Sequence, residues 1–247
     1  MSEYKLPKVL IAAPQHDSKK YCWDVWKNNI KNLTYPNAEV FIAENSESDE
    51  FSKEIRAEGF KCKRVGHKLP TVLARTTKAH EACRLRALDI GAEWLAHIET
   101  DVIVPLDFIE RCLYAKKKVI SGVYDIHHGK SRKAMIQHND PYDRSVGAYR
   151  TVKFLEHEEP IFFDGSVKQV YHAGIGAIMI HRSVFEKIPF RYEKDNIFHA
   201  DTFFASDCFM KDIPIFVDTS IVCKHYNSTW LDVADEFLNP VLEKQDA

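Results

Sequence analysis

Residues 74–105, "ARTTKAHEACRLRALDIGAEWLAHIETDVIVP", hold the pattern from which the fold is read. Ala79, Cys83, Ala87 and Ile90 recur on one face of a helical pattern running from Val72 to Ile90, and Gly91 follows as a natural stop. Trp94 to Ile98 is then a short apolar run of buried-strand length. Glu99 and Asp101 come directly after it. A helix with an apolar stripe, a glycine, a strand and a pair of acids make one helix-to-strand unit of an α/β chain.

The same rhythm extends on both sides. Val9 to Ala13, "VLIAA", reads as a strand buried on both faces. Cys22, Trp26 and Ile30 follow at helical spacing, closed by the turn residues "TYPN". Val40 to Ala43 is a second buried strand, Glu50 to Glu58 a short helix stopping at Gly59, and Phe60 to Val65 a third strand. Past Pro105 come a helix over Leu106 to Ala115 and a strand over Val119 to Tyr124. This alternation predicts a mostly parallel sheet with helices on both faces, whose strand C-termini line one rim. Such sheets bind ligands along that rim, which here collects Pro14, Glu44-Asn45-Ser46, Gly66-His67 and Glu99-Thr100-Asp101.

The rhythm breaks between Asp125 and Val167, read as an excursion of irregular strands and loops within a single domain. Regularity returns with Gln169 to His181. Helical segments near Ser183 to Lys187 and Asp201 to Lys211 follow, then strands over Ile213 to Val217 and Ser220 to Lys224. The tail from Trp230 is amphipathic and reads as a helix.

Composition narrows the function. The chain has 247 residues, 45% hydrophobic, with a formal net charge of −2, which argues against a dedicated nucleic-acid binder but leaves open a nucleic-acid acceptor held by a local patch. Six cysteines without a C-x-x-C pair give no zinc knuckle or dithiol motif, and point to a reducing, cytoplasmic setting. The N-terminus is too polar for a signal peptide, and no apolar run approaches the ~18 residues of a membrane span.

Carboxylates at i and i+2 of an extended segment point to the same side. Glu99 and Asp101 so arranged, together with phosphate oxygens, suit Mg²⁺ or Mn²⁺. Solvated loop acids are the other reading of the same pair. Between Phe198 and Asn227 lie Asp201, at the start of a helical pattern, and His225, at the end of an apolar strand. Asp201 has a second reading as a helix N-cap, and His225 as a satisfied polar residue.

In chain order, "VLIAAP", "YPNAEVFIAENSES", the helix and acid-x-acid strand of residues 74–105, "ISGVYD", "GIGAIMIHRSVFEKI" and "ADTFFASDCFMKDIPIFVDTSIVCKH" resemble the blocks of a GT-A-fold glycosyltransferase of the inverting family 2 type. The likeness runs from about Val9 to His225. It implies a Rossmann-like GT-A domain, with residues of about 8–124 binding a nucleotide-sugar and about 125–247 binding the acceptor and carrying the catalytic acid. The implied activity is metal-dependent, inverting transfer of a sugar from a nucleotide-diphosphate sugar donor to a glycan or other hydroxyl acceptor, a hexosyltransferase-type reaction with Mn²⁺ or Mg²⁺. By position, Asp101 and His225 would hold the metal, with Glu99 reaching it through water or touching the donor. Pro14, Glu44 and Arg75 would line the nucleotide pocket, and Asp201 would be the general base. Two positions depart from the family pattern: Glu99 replaces the usual Asp, and Ala200 replaces a Glu found before the catalytic Asp in many members.

Two other functions compete. A sugar nucleotidyltransferase would carry a glycine-rich, basic loop after its first strand, whereas "APQHDSKK" has no glycine. A catalytically silent nucleotide-sugar-binding module would not need Asp101, Asp201 and His225 together. Single residues also have plainer readings. Glu44, with Asn45 and Ser46, could cap the following segment, Arg75 could be a surface charge, Asp218 a turn residue or a support behind the site, and Trp230 a sugar-stacking ring or an anchor of the tail. His127, His128, His138 and His157 show no ligand spacing.

Overall fold

The computed structural model describes residues 6–128, 131–139, 152–156, 163–194 and 197–226. The elements are β1 (Val9–Gln15), α1 (Trp23–Lys31), β2 (Ala38–Glu44), α2 (Glu50–Ala57), β3 (Lys61–Arg64), α3 (Val72–Asp89), β4 (Trp94–Ile98), β5 (Val102–Ile103), α4 (Phe108–Tyr114) and β6 (Val119–Val123). They continue with β7 (Asp125–His128), β8 (Ser131–Asn139), β9 (Val152–Glu156), β10 (Val167–Val170), β11 (His172–Ala173), β12 (Ala177–His181), α5 (Arg182–Phe185), α6 (Ala200–Met210), β13 (Ile215–Val222) and β14 (Lys224–His225). The tail from Trp230 and His157 lie outside the described residues, as do the side chains of His127, His128 and His138.

The helix and strand read from residues 74–105 are both present, and their ends show why. Thr71 Oγ1 accepts the Ala74 N–H at 3.1 Å, capping α3, and Gly91 at φ +67° lets the Ala92 N–H bond back to the Ala87 carbonyl at 2.9 Å. The chain then enters β4 at the centre of an eight-stranded sheet of order β10-β13-β6-β12-β4-β1-β2-β3. Strands β1, β2, β3, β4, β6 and β13 run parallel, while β10 and β12 run against them. This is a mixed α/β single domain with a large, mostly parallel sheet.

Alternate side chains of the strands feed two apolar layers. Leu10 and Ala12 face α3, α5 and α6 through residues such as Ala79, Cys83, Phe185 and Phe204. Val9, Ile11 and Ala13 face α1, α2 and α4 through Trp26, Ile55 and Phe108. Trp23 and Trp26 stack with ring centroids 5.4 Å apart, an offset geometry worth about 0.5–1.5 kcal/mol beyond the area buried. Burial on both faces explains why these strands read as continuous apolar runs.

Three boundaries differ from the sequence reading. Gln169 to His181 is not one stretch but β10, β11 and β12, which pair with β13, with β8, and with β4 and β6. The first break falls at Tyr171 and the second at glycines that admit Tyr124: a Cβ on Gly174 would lie 2.0 Å from Tyr124 Oη, and the Gly176 N–H donates to that oxygen at 3.0 Å. The two late strands are instead one, β13, which carries a register shift between Val217 and Val222 against β6. Asp218, a residue of the strand itself that pairs with Val167, accepts the Ser220 N–H at 2.9 Å through Oδ1 beside the register shift. The segment before α1 is a 3-10 turn, Asp17–Cys22. The excursion after Asp125 forms a small antiparallel sheet of β7, β8, β9 and β11 beside the rim.

Candidate functional site

A cavity of about 380 Å³ opens at the carboxyl ends of β1 and β4, a volume in the range of small-molecule sites. Its walls include Pro14, Gln15, Lys19, His80, Glu99, Asp201 and His225. Four of the residues read from sequence therefore meet here: Pro14, Glu99, Asp201 and His225.

Asp101 is brought to the same place from behind. Glu99 to Val102 is not extended, as the i, i+2 argument assumed, but a turn closed by Val102 N–H to the Glu99 carbonyl at 2.9 Å. The turn sends Thr100 inward, where its hydroxyl bonds Gln15 Oε1, and leaves Glu99 lining the cavity with Asp101 behind Lys19. The two-residue ladder β5–β14 places His225 opposite Val102, and the Tyr226 N–H reaches the Asp101 carbonyl at 2.6 Å. His225 Nε2 then stands 3.4 Å from Asp101 Oδ2. The other ring nitrogen, Nδ1, lies 2.7 Å from the Asp125 carbonyl, which can only accept, so Nδ1 carries the hydrogen. In the neutral ring, Nε2 is then the lone-pair nitrogen and faces the acid, the arrangement in which a histidine ligates a cation.

Charge in this corner is dominated by Lys19. Its Nζ lies 2.8 Å from Asp101 Oδ2 and 3.6 Å from Glu99 Oε2. Burial works against the ammonium, yet the two carboxylates hold its pKa above the ordinary lysine range. Burial alone would raise Asp101, but His225 and Lys19 bring it down to about 2. Glu99 goes the other way: burial, with the Asp101 charge adding to it, outweighs Lys19 and raises its carboxyl. Asp101 Oδ1 is buried without a hydrogen-bond partner.

Behind Glu99 runs a chain of histidines. His97 Nδ1 donates to the Ile175 carbonyl at 2.6 Å, so its Nε2 accepts from His80 Nδ1 at 3.0 Å. That leaves His80 Nε2 as the acceptor, 3.8 Å from Glu99 Oε1. Burial keeps both rings neutral, lowering His97 to about 4 and His80 well below its usual value. Across the cavity, Asp201 sits in the first turn of α6, one residue past Ala200, with His199 as the N-cap. Asp201 is therefore not the cap. Its Oδ1 accepts the Thr202 N–H at 2.7 Å and its Oδ2 lies 3.5 Å from His172 Nε2. Burial would raise its pKa, but His172 and the Thr202 N–H hold it down to about 2, so it is ionised at neutral pH.

No family model matches the chain, and no curated protein matches it. A solved structure described as "Crystal Structure of A197 from STIV" is similar at 13% identity, over 90% of this chain and 86% of that one, with a TM-score of 0.44. A likeness that distant carries no argument, and the site rests on its own geometry.

Glu44 and Arg75 fall outside the cavity. Glu44 is fully buried, accepts the Ser46 N–H at 2.7 Å and faces Arg64 Nε at 3.5 Å, so it braces the loop after β2 while its neighbour Asn45 reaches the wall. Arg75 turns to the Leu69 carbonyl at 3.4 Å and Glu47 at 3.9 Å, and Thr76 takes the lining position. Sequence reasoning missed Lys19, His80, His97, His172 and Gln15. Lys19 was legible as a cation in the loop after the first strand; the histidines were not, because His80 meets His97 only where α3 packs over β4, and His172 meets Asp201 only where β11 packs against α6.

The protein offers a divalent cation Asp101 and His225, with Glu99 adjacent. Among the described residues no cluster of three His, Cys, Asp or Glu side chains stands in metal-holding array. Two protein ligands suit a cation that takes its remaining ligands from substrate phosphates and water, and the unpartnered Asp101 Oδ1 and the oriented His225 ring fit that role.

Proposed function

We propose that this chain is a metal-dependent glycosyltransferase that moves a sugar from a nucleotide-diphosphate sugar to an acceptor hydroxyl with inversion. One observation carries the reading: a tautomer-fixed histidine, His225, lines the cavity with Asp101 directly behind it, and the ionised Asp201 lines the same cavity. Bound Mn²⁺ or Mg²⁺ would neutralise charge developing on the departing diphosphate. Asp101 and His225 would hold that ion at the diphosphate end of the donor. Glu99 and His80 present two acceptors, 3.8 Å apart, to the donor's hydroxyl groups.

Asp201 takes the proton from the acceptor hydroxyl as its oxygen attacks the anomeric carbon. The bond from that carbon to the diphosphate oxygen breaks on the opposite face, its electron pair leaving with the diphosphate, so the configuration inverts. Only an ionised carboxylate can accept that proton, and His172 and the Thr202 N–H keep Asp201 so. The small sheet of β7, β8, β9 and β11 beside the cavity is the natural acceptor platform, in keeping with a donor half of about 8–124 and an acceptor half of about 125–247. All six cysteines are free, which supports a reducing, cytoplasmic setting; no described helix is long and apolar enough to cross a membrane.

A thermal-shift panel of nucleotide-sugars, with and without Mn²⁺, tests the reading. One donor class should stabilise the protein, more so with Mn²⁺, since stabilisation follows RT ln(1 + [L]/Kd). Asp101→Asn should abolish the metal-dependent gain and Glu99→Gln should weaken it less. Equal nucleotide affinity with and without metal in the wild type would refute the assignment.

A further inference from the structure

Lys19 occupies the approach to the acid that the cation would need. It lines the cavity, whereas Asp101 lies behind it, 2.8 Å from its Nζ. Two cavity-lining groups meet that carboxylate oxygen, the ammonium group and, at 3.4 Å, His225 Nε2. The turn that carries Lys19 is fastened at three points. The Asp17 N–H donates to Ser46 Oγ at 2.8 Å, Tyr21 Oη donates to the Tyr226 carbonyl at 3.0 Å, and Cys22 Sγ donates to the Lys19 carbonyl at 3.1 Å. These tie the turn to the loop after β2 and to the residue after His225. With the backbone held, the four-carbon stem of Lys19 is the part free to move.

We propose that Lys19 is a tethered cation that neutralises Glu99 and Asp101 until a metal-bound nucleoside diphosphate arrives, and then shifts from Asp101 onto the diphosphate. The inference rests on the glycosyltransferase reading above. Two carboxylates held side by side favour a counter-charge between them, and Lys19, 3.6 Å from one and 2.8 Å from the other, supplies it. An ammonium on Asp101 Oδ2 and a divalent cation on the same carboxylate repel each other and compete for its charge. A metal arriving alone must displace Lys19 with no new anion to receive it. A metal arriving with a diphosphate brings that anion, and lysine binds phosphate well as a point charge. Metal and nucleotide therefore bind with positive coupling, which is reciprocal by linkage.

The test is a titration of Mn²⁺ alone, followed by the electron spin resonance of the free ion, on wild type and on Lys19→Met, which keeps the stem and removes the charge. Without nucleotide, Lys19→Met should bind Mn²⁺ tighter by about tenfold or more, because a like charge a few ångströms from the ligand oxygens is gone. The gain in Mn²⁺ affinity on adding uridine or guanosine diphosphate should shrink accordingly. A folded Lys19→Met protein that binds free Mn²⁺ no better than wild type overturns the proposal. Should that variant fail to fold, wild-type protein with ¹³Cε-labelled lysine gives the answer. The Lys19 signal, assigned by its loss in Lys19→Arg, should shift on saturation with Mg²⁺ and the diphosphate, and an unmoved signal overturns the proposal. A wild type whose diphosphate affinity ignores metal would instead remove the glycosyltransferase reading itself, an outcome separable from the failure of Lys19 alone.

Discussion

Replacing Asp201 by Asn separates its two roles, because the amide keeps the size of the side chain and an oxygen for the Thr202 N–H but has no charge. The structure holds the carboxyl at about 2 against an ordinary 3.8. With the group buried and its side chain 13% exposed, that difference corresponds to about 2 kcal/mol of stability at neutral pH. The sign follows from a lowered folded pKa: the contribution is present above about pH 4 and fades as the pH falls towards 2. Urea unfolding of Asp201→Asn at pH 7 should therefore show a loss of about 2 kcal/mol that narrows progressively in acid. Catalysis should suffer far more, with kcat falling by about 10²–10⁴-fold, because a base acts on the acceptor proton only in the transition state. Diphosphate affinity, measured by calorimetry with Mn²⁺, should stay close to wild type. A near wild-type kcat would leave Asp201 as a helix-terminus charge only. A collapse of nucleotide affinity in step with kcat would make it a binding residue. A product of retained configuration would rule out single displacement.

Three further outcomes follow from the same geometry. His225→Ala should raise the Mn²⁺ needed for half-saturation of the diphosphate complex by about 10-fold or more, read by calorimetry. Burial lowers the His225 pKa, but Asp101 outweighs it and raises it overall. Proton and metal then compete, so wild-type metal affinity should fall by up to about tenfold per pH unit below that raised value, and His225→Ala should lose this dependence; a flat wild-type profile would contradict the assignment. Gly174→Ala puts a methyl 2.0 Å from Tyr124 Oη and 2.4 Å from Met135 Cγ, which should cost about 1–3 kcal/mol or more in urea unfolding. Tyr124→Phe should restore only part of that loss, since Met135 still collides; full recovery would mean the glycine serves only the tyrosine.

Much of the fold was legible because the central strands are buried on both faces and so read as apolar runs, "VLIAA" and "WLAHI" above all. Their ends carried the site, and the order of strands along the rim put Pro14 beside Glu99. What failed did so for physical reasons. The bulge at Asp218 breaks the period of β13, so one strand reads as two. Gln169 to His181 reads as one regular stretch, although Gly174 and Gly176 interrupt it to make room for one tyrosine ring. The acid pair was read on extended backbone, whereas a turn closed by the Val102 N–H carries both carboxylates. Glu44 sits at a strand end like a ligand-binding acid, but its partners Ser46 and Arg64 are set by the packing of β2 against β3. His80 and His97 are 17 residues apart in sequence and meet only because α3 packs over β4.

A crystal grown with Mn²⁺ and the preferred nucleoside diphosphate, with diffraction recorded at the manganese edge, tests the central claim most directly. The account predicts an anomalous peak bonded to Asp101 and to His225 Nε2 at about 2.0–2.3 Å, bridging to the diphosphate, with Lys19 turned off Asp101 onto a phosphate oxygen. A diphosphate bound in the cavity with no anomalous peak at Asp101, and with Lys19 still on the carboxylate, would contradict it.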